Sequence, residues 1–498
     1  MHSPPPSAPT APPRTPVPTW LWGLVLVTAL AVAGLWDIAA VRYILAAELL
    51  VVGAFRRSTA NWIVIMMVIG IFVGYDFKTW GPAHNVDPGW LQLFSKIFIR
   101  LVKTIVAPLL FSTLVIGISS HADIKTVGRL GVKALVYFET VTTIALFLGL
   151  AAINYSQAGV GMTPSGEKSA SPVPAGAAHS AVDILLHTFP ENFAKSVAEG
   201  DVLQVVVFSI LFGVALALVP EERRKPLLVV IESLAEAMFK FTGLVMTLAP
   251  LAVGSAMAYT ISQLGVDSLQ NLAKLVGTLF VALIVFVVLV LVPIILLARI
   301  PFLPFVRAVS EPVSIAFATS TSEAALPRAM ERLEWLGVPR HVVSFVMPLG
   351  YSFNLDGTTL YLALASVFVA QANGVEMSFG TQLAMMASLM LSSKGVAGVP
   401  RASLVILLGT VARFNLPEWP VLAILGIDGI MDMARTGVNV GGNCLASAVV
   451  ARWEGNFVPN YDHPFYEGCR PAGWTPTLHH SGRTLPPAPP ADLIPDQL

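Results

Sequence analysis

Of the 498 residues, 55% are hydrophobic and only 12% are charged, with 30 basic and 30 acidic side chains in balance. A soluble chain of this size carries about twice that charged fraction, and the neutral balance supplies no basic surface for nucleic acid. Cys444 and Cys469 offer neither a disulfide framework nor metal-ligand spacing, and the nine histidines are scattered, so no structural metal is expected.

Residues 1–18 are Pro-rich and read as unstructured. The apolar run 20–36 has almost no basic flank and no clear small-residue cleavage site; it reads as an uncleaved extra membrane helix or a poor signal sequence. Apolar stretches then follow at 61–77, 93–119, 134–154, 202–219, 228–261 and 272–300. Several exceed the roughly 20 residues that span a bilayer. Their long unalternated runs fit helices and exclude a β-barrel. Residues 155–200 are rich in Gly, Pro, Ser and Ala, too polar to span. Arg56, Arg57, Lys125, Arg129, Arg223, Arg224, Lys225, Arg299 and Arg307 fall in connections on one side, which the positive-inside rule makes cytoplasmic.

Past residue 304 the texture changes, because polar residues interrupt the apolar runs instead of flanking them. Stretches 304–336 and 379–411 each read as helix, break, helix, and 342–370 is a span broken at PLGYSFNLDGT. Interrupted helices at membrane depth supply free backbone groups around a cavity, as in transporters. Within 425–452, Asp428, Asp432, Arg435, Thr436, Asn439 and Asn443 fall inside an arc of about 100° on an otherwise apolar helix. Charge at that depth is expensive and marks a substrate or ion path. From about Glu454 the chain turns polar and Pro-rich and reads as a tail.

Each break has a bland reading and a chemical one. The ATSTSEAALP break (318–327) offers backbone N–H groups at a half-helix N-terminus, suited to a carboxylate; otherwise it is a Ser/Thr-rich loop. In GYSFNLDGT (350–358), Gly350 and Gly357 suggest unwinding that frees carbonyls, beside the hard oxygens of Asn354 and Asp356; otherwise Asn-Leu-Asp-Gly is a turn. SSKGVAGVPR (392–401) is a flexible Gly-rich tip and no phosphate loop. Arg435 presents a bidentate fork to a carboxylate and Asp432 an acceptor for an amino group; at i and i+3 they also suit mutual neutralisation. Glu139 and Glu323 are candidate proton carriers.

These motifs, in this order and spacing, resemble the dicarboxylate/amino acid:cation symporter family, the glutamate transporter family, over about 58–455. The resemblance implies an all-α polytopic membrane protein with eight transmembrane helices and two re-entrant hairpins (about 305–335 and 376–413), built from inverted repeats. It also implies a homotrimer, elevator-like alternating access and a bacterial inner-membrane location. Residues 58–300 would form scaffold and first transport helices, 301–455 the transport core, and 456–498 a disordered cytoplasmic tail. No cofactor is implied beyond transported Na⁺ or H⁺. By resemblance, backbone at Ser320 and Val399, with Ser322 and Asn439, holds a substrate α-carboxylate. Asp432 and Thr436 hold its amino group, and Arg435 and Thr358 lie near its distal carboxylate. One Na⁺ site maps to carbonyls of Gly350 and Asn439 with Asn354 and Asn443. A second maps to Thr142, Asn354 and Asp356, and a third to backbone at Ser352, Ser393, Lys394 and Val396.

The departures have direction. Asn443, Val141 and Phe138 stand where sodium-coupled members carry Asp, Thr and Tyr, and resemble the bacterial C4-dicarboxylate branch. Ser320 and Met433 occupy the two places where relatives put a further arginine. Asp432 and Thr436 pull the other way, toward an amino acid. The sequence therefore favours a symporter of glutamate or aspartate driven by H⁺ or Na⁺, with a C4-dicarboxylate symporter as the alternative. An ion channel has no need of an Arg/Asp pair, and a membrane hydrolase lacks a catalytic set, His341 having no evident partner.

Overall fold

The computed structural model describes residues 19–56, 59–119, 124–162, 189–199, 202–392, 402–414 and 416–470. Every regular element among them is helical. In chain order these are α1 (Thr19–Gly34), α2 (Ala39–Arg56), α3 (Thr59–Ala83), α4 (Leu93–Ser119), α5 (Ile124–Ser156), the short α6 (Phe193–Glu199) and α7 (Val202–Leu218). Next come α8 (Glu221–Met246), α9 (Ala249–Leu264), and α10 (Ser268–Phe286), which runs through a π turn (Val287–Leu291) into α11 (Val292–Leu297). The polar-interrupted half follows: α12 (Phe302–Thr319), α13 (Ser322–Leu336), α14 (Arg340–Phe353), α15 (Asp356–Ala372), α16 (Phe379–Ser392), α17 (Ala402–Arg413) and α18 (Trp419–Trp453).

Five segments are long and apolar enough to cross a membrane: Asn61–Ala83, Pro88–Ser119, Arg129–Ser156, Ser268–Leu297 and Arg340–Ala372. The pair α8 and α9, bent by 47°, makes up to six. The stretch 228–261, which reads as one span, is thus two helices. The bend falls just before Pro250, which has no N–H to carry the helical ladder across it. α7, an apolar helix of 17 residues, is at the short end of spanning length, and α18 carries the polar face.

α15 is the innermost helix, buried along almost its whole length. It packs on α5, α18, α17, α16 and α10. Lipid offers no hydrophobic drive between helices, so close approach has to come from small residues. The glycines show it. A Cβ on Gly149 of α5 would lie 2.3 Å from the Leu360 carbonyl oxygen of α15, and one on Gly70 of α3 would lie 2.3 Å from that of Gly254 in α9.

At the end where the basic loops gather, the tips of α5 and α18 are tied by charge. Arg129 and Lys133 each reach Glu454 at 2.6 Å. The hydrogen bond from Lys133 holds that carboxyl below its ordinary range. Here the tail expectation fails for 456–470: this stretch folds back instead. Val458 N–H donates to the Gly337 carbonyl, and the buried Tyr466 donates its hydroxyl to the Leu336 carbonyl at 2.6 Å. Aromatic residues in the segment make that burial favourable.

The amino-terminal apolar run forms one helix, α1, and a second helix, α2, follows it before the first expected span. α1 packs on α2 and α2 on α3, around Val32, Leu45, Ala46 and Phe72. Arg42, 1% exposed, pairs with Asp76 of α3, and its guanidinium lies 4.8 Å from the Tyr75 ring. Thr28 donates to Glu48 at 3.0 Å. α2 escapes a hydropathy reading because Arg42 and Glu48 interrupt it, and their partners lie on other helices. Removing Arg42 costs part of the roughly 3–5 kcal/mol of a fully buried pair, because Asp76 is 26% exposed, and also removes the contact with Tyr75. Arg42→Ala is therefore expected to detach the α1–α2 hairpin, making 19–56 sensitive to limited proteolysis in membranes while uptake persists. Unchanged cleavage kinetics would refute the anchoring role.

Candidate functional site

The site forms where α14 stops, α15 starts and α18 passes both. α14 ends at Phe353, and the Asn354 N–H donates to the Gly350 carbonyl at 2.7 Å. The backbone is non-helical only at Asn354 and Leu355. Unwinding at Gly350 and Gly357 is therefore corrected: both lie inside helical turns. Their role is close approach. A Cβ on Gly350 would meet Asn443 Oδ1 at 2.1 Å, one on Gly357 the Arg435 carbonyl at 2.7 Å, and one on Gly442 Asp356 Oδ2 at 2.1 Å.

The first N–H groups of a helix have no partner within it. At α15 this end is buried, so another element must supply acceptors. Asn439 of α18 does so: its Oδ1 accepts from Gly357 N at 2.8 Å and Thr358 N at 3.3 Å. Its Nδ2 donates to Thr358 Oγ1 at 2.9 Å. A side-chain amide has two donor hydrogens, so one of Asn439 is not used among the described residues.

Beside this cap lies a cluster of hard oxygens. Asn354 Nδ2 donates to Asp356 Oδ2 and to Asn443 Oδ1, both at 3.2 Å. All three side chains are fully buried. Asn354 Oδ1 and Asn443 Nδ2 have no hydrogen-bond partner among the described residues. Thr142 of α5 is buried too, and donates to its own helix at the Phe138 carbonyl. Phe138 and Val141 fill that flank with carbon.

One to two turns away on α18, Arg435 Nη2 bridges Asp428 Oδ1 at 3.0 Å and Asp432 Oδ1 at 2.7 Å. Its guanidinium stacks 3.9 Å over the ring of Tyr361 on α15. Arg435 and Asp428 are wholly buried; the Asp432 side chain is 13% exposed. Arg435 Nε and Nη1 have no hydrogen-bond partner among the described residues. Thr436 is buried at the next position. The mutual neutralisation that the i, i+3 spacing allowed is realised.

Ser320 and Ser322 sit at the turn between α12 and α13. Ser320 is left-handed (φ 54°), which stops α12, and Ser322 opens α13. Phe317, one turn before, lies 3.6 Å from the Cβ position of Gly437, so the turn lies alongside the polar stretch of α18. Glu323, half-buried in the first turn of α13, lines a cavity of about 270 Å³ with Leu114 and Gly117 of α4, Phe239 of α8 and Tyr351. Glu139 is half-buried midway along α5. Val399, Ser393, Lys394 and Val396 lie outside the described residues.

Two participants go unassigned by the sequence. Asp428 shared a polar face but had no role; its i, i+7 spacing from Arg435 puts it only about 20° away around the helix, which was the available signal. Tyr361 has none, since only the fold brings α15 to α18.

The model of the sodium:dicarboxylate symporter family matches residues 60–453. The chain belongs to this family. It is 40% identical over 409 residues to the proton/sodium-glutamate symport protein of Bacillus caldotenax, covering 81% of this chain and 96% of the relative. Against the proton/glutamate-aspartate symporter of Escherichia coli it is 38% identical over 416 residues (81% and 94%). Against the C4-dicarboxylate transport protein of Laribacter hongkongensis it is 40% identical over 407 residues (80% and 90%). Family membership and the apolar helices make it a multi-pass membrane protein, and the packed residues 354–358 and 428–443 lie within the matched region. The α1–α2 hairpin precedes it.

Proposed function

We propose that this chain is a secondary active symporter of the bacterial inner membrane that takes up glutamate or aspartate with H⁺, Na⁺ or both. The proposal includes eight spans, two re-entrant hairpins (α12–α13 and α16–α17), a homotrimer and elevator-like alternating access. The supporting observation is the buried Arg435 with two donor groups unpartnered among the described residues, on the same helix face as the Asn439 cap. Arg435 would turn its fork to the distal carboxylate, with Thr358 beside it. The spare Asn439 donor, Ser322 and backbone at Ser320 and Val399 would meet the α-carboxylate. Asp432 and Thr436 would meet the amino group.

Charge favours the amino acid. The triad of Arg435, Asp428 and Asp432 carries one positive and two negative groups. Glutamate or aspartate, with two carboxylates and an ammonium, adds one net negative charge, and its ammonium can sit against Asp432. A dicarboxylate adds two to a guanidinium already shared. The second reading, a C4-dicarboxylate symporter, is favoured by one feature: Asp432 is already hydrogen-bonded to Arg435, so it does not require an ammonium to satisfy it. Uptake of labelled glutamate, aspartate and succinate into proteoliposomes, under separate Na⁺ and H⁺ gradients, decides between them. Absence of uptake of all three under both gradients would overturn the symporter reading.

Gly350 and Asn439 carbonyls, with Asn354, Asp356 and Asn443, form an oxygen-donor set suited to a hard cation such as Na⁺. Two of the three side chains are neutral, which weakens it. Asn443→Asp keeps an acceptor for Asn354 and adds a charge. It is expected to lower the Na⁺ concentration for half-maximal uptake about tenfold, since ligand charge tunes such affinities. An unchanged Na⁺ dependence would remove this cluster from the coupling site. Glu323 and Glu139 are the candidate proton carriers.

A further inference from the structure

A groove of about 450 Å³ runs between α10/α11, α12 and α18, within the size range of ligand pockets, about 300–1,000 Å³. Its walls carry only apolar side chains and glycine, among them Phe280, Val288, Phe302, Val309, Phe317 and Gly441. The π turn Val287–Leu291 lies along it, an irregularity common at functional sites. Opposite, Gly437 and Gly441 present no side chain: a Cβ at either would make only ordinary 3.6 Å contacts with Val313 or Phe317, so these glycines widen the groove rather than permit a clash. From Phe302 to Phe317, α12 rises about 22 Å at 1.5 Å per residue. One leaflet of hydrocarbon is about 15 Å deep. The groove is therefore long enough to take an acyl chain of one leaflet.

Its mouth is basic. The turn joining α11 to α12 carries Arg299, exposed, held at a left-handed φ of 53°, and without an ion-pair partner among the described residues. Arg452 donates to the Arg299 carbonyl at 2.7 Å, and Arg307, next to the groove-lining Val306, donates to the carbonyls of Phe465 and Glu467. The nearby Glu454 is already occupied by Arg129 and Lys133. All these basic groups lie at the end marked cytoplasmic by residue charge.

We infer that this groove binds one acyl chain of an anionic phospholipid of the cytoplasmic leaflet, with its headgroup against Arg299. The tail fills a cleft that otherwise lacks dispersion contacts on one side, and the headgroup phosphate meets the exposed guanidinium. The occupant then lies directly behind the turns of α18 that carry Arg435 and Asn439, since Gly437 and Gly441 belong to the same turns on another face.

The test uses the full chain in nanodiscs containing phosphatidylglycerol with a photoactivatable acyl chain, with crosslinked peptides mapped by mass spectrometry. Crosslinks are expected to concentrate on 280–317 and 434–445. Unlabelled phosphatidylglycerol should compete and phosphatidylcholine should not. Val309→Trp, which takes up the volume the tail would fill, should lower the yield about tenfold, a loss of roughly 1.4 kcal/mol in binding. Arg299→Gln should cost about fivefold and erase the preference for the anionic lipid, the worth of one basic residue at a membrane surface. Thermal melting of both variants in the same nanodiscs checks folding. Equal competition by the two lipids, crosslinks no denser here than on the exposed faces of α1 and α2, or crosslinks joining two copies of the chain through this groove would each overturn the inference.

Discussion

Arg435→Ala is expected to reduce glutamate uptake by at least about 30-fold, because truncating one partner of a buried, hydrogen-bonded charge cluster costs 2–5 kcal/mol or more and 1.4 kcal/mol is tenfold. Two effects combine. The substrate's distal carboxylate loses its fork, and Asp428 and Asp432 lose the guanidinium that bridges them. The second effect also threatens folding, since Asp428 is completely buried. Arg435→Lys separates them. An ammonium keeps the charge balance but is a point donor, unable to bridge Asp428 and Asp432 while presenting a planar pair of N–H groups to a third carboxylate. The lysine variant should melt within a few degrees of the parent and still lose about tenfold in glutamate uptake. A lysine variant with parental uptake would show that the fork is not used. An alanine variant whose uptake falls only in proportion to its folded fraction would make Arg435 a structural residue alone.

The polar face of α18 was readable because six polar side chains inside an arc of about 100° on an apolar helix have no solvent to justify them. Helical phase alone also contained the link between Asp428 and Arg435. What phase cannot contain is the partner from another element. Tyr361 meets Arg435, Asn439 caps α15, and Thr28 meets Glu48 only because the fold brings distant segments together. The glycines illustrate the same limit differently. Gly350 and Gly357 signalled a broken helix, yet the break falls at Asn354 and Leu355. A glycine in sequence signals either conformational freedom or a missing side chain, and only the position of Asn443 and of the Arg435 carbonyl distinguishes the two. The packed stretch 456–470 was hidden by its prolines and charges, while its anchors, Val458, Tyr466 and the carbonyls held by Arg307, are single contacts to distant segments.

Asp432 and Asp428 both hold Arg435, and the reading proposed here gives them different consequences when neutralised. Asp432 is the more accessible of the two and lies one turn from Thr436, so it is the one assigned to the substrate's ammonium. In Asp432→Asn, Asp428 still anchors Arg435 at 3.0 Å, and the guanidinium gains freedom to serve a second carboxylate. Amino-acid uptake should fall about 100-fold, the worth of a charge-assisted contact of roughly 3 kcal/mol, while succinate uptake should hold or rise. Asp428→Asn acts on the anchor alone: glutamate and succinate uptake should fall together, because both depend on where Arg435 sits. The ratio of glutamate to succinate uptake is therefore the informative quantity, and it is insensitive to how much protein folds. If that ratio is the same in the two variants and in the parent, Asp432 does not read the amino group. The family's two substrate classes would then have to be told apart by residues other than this pair.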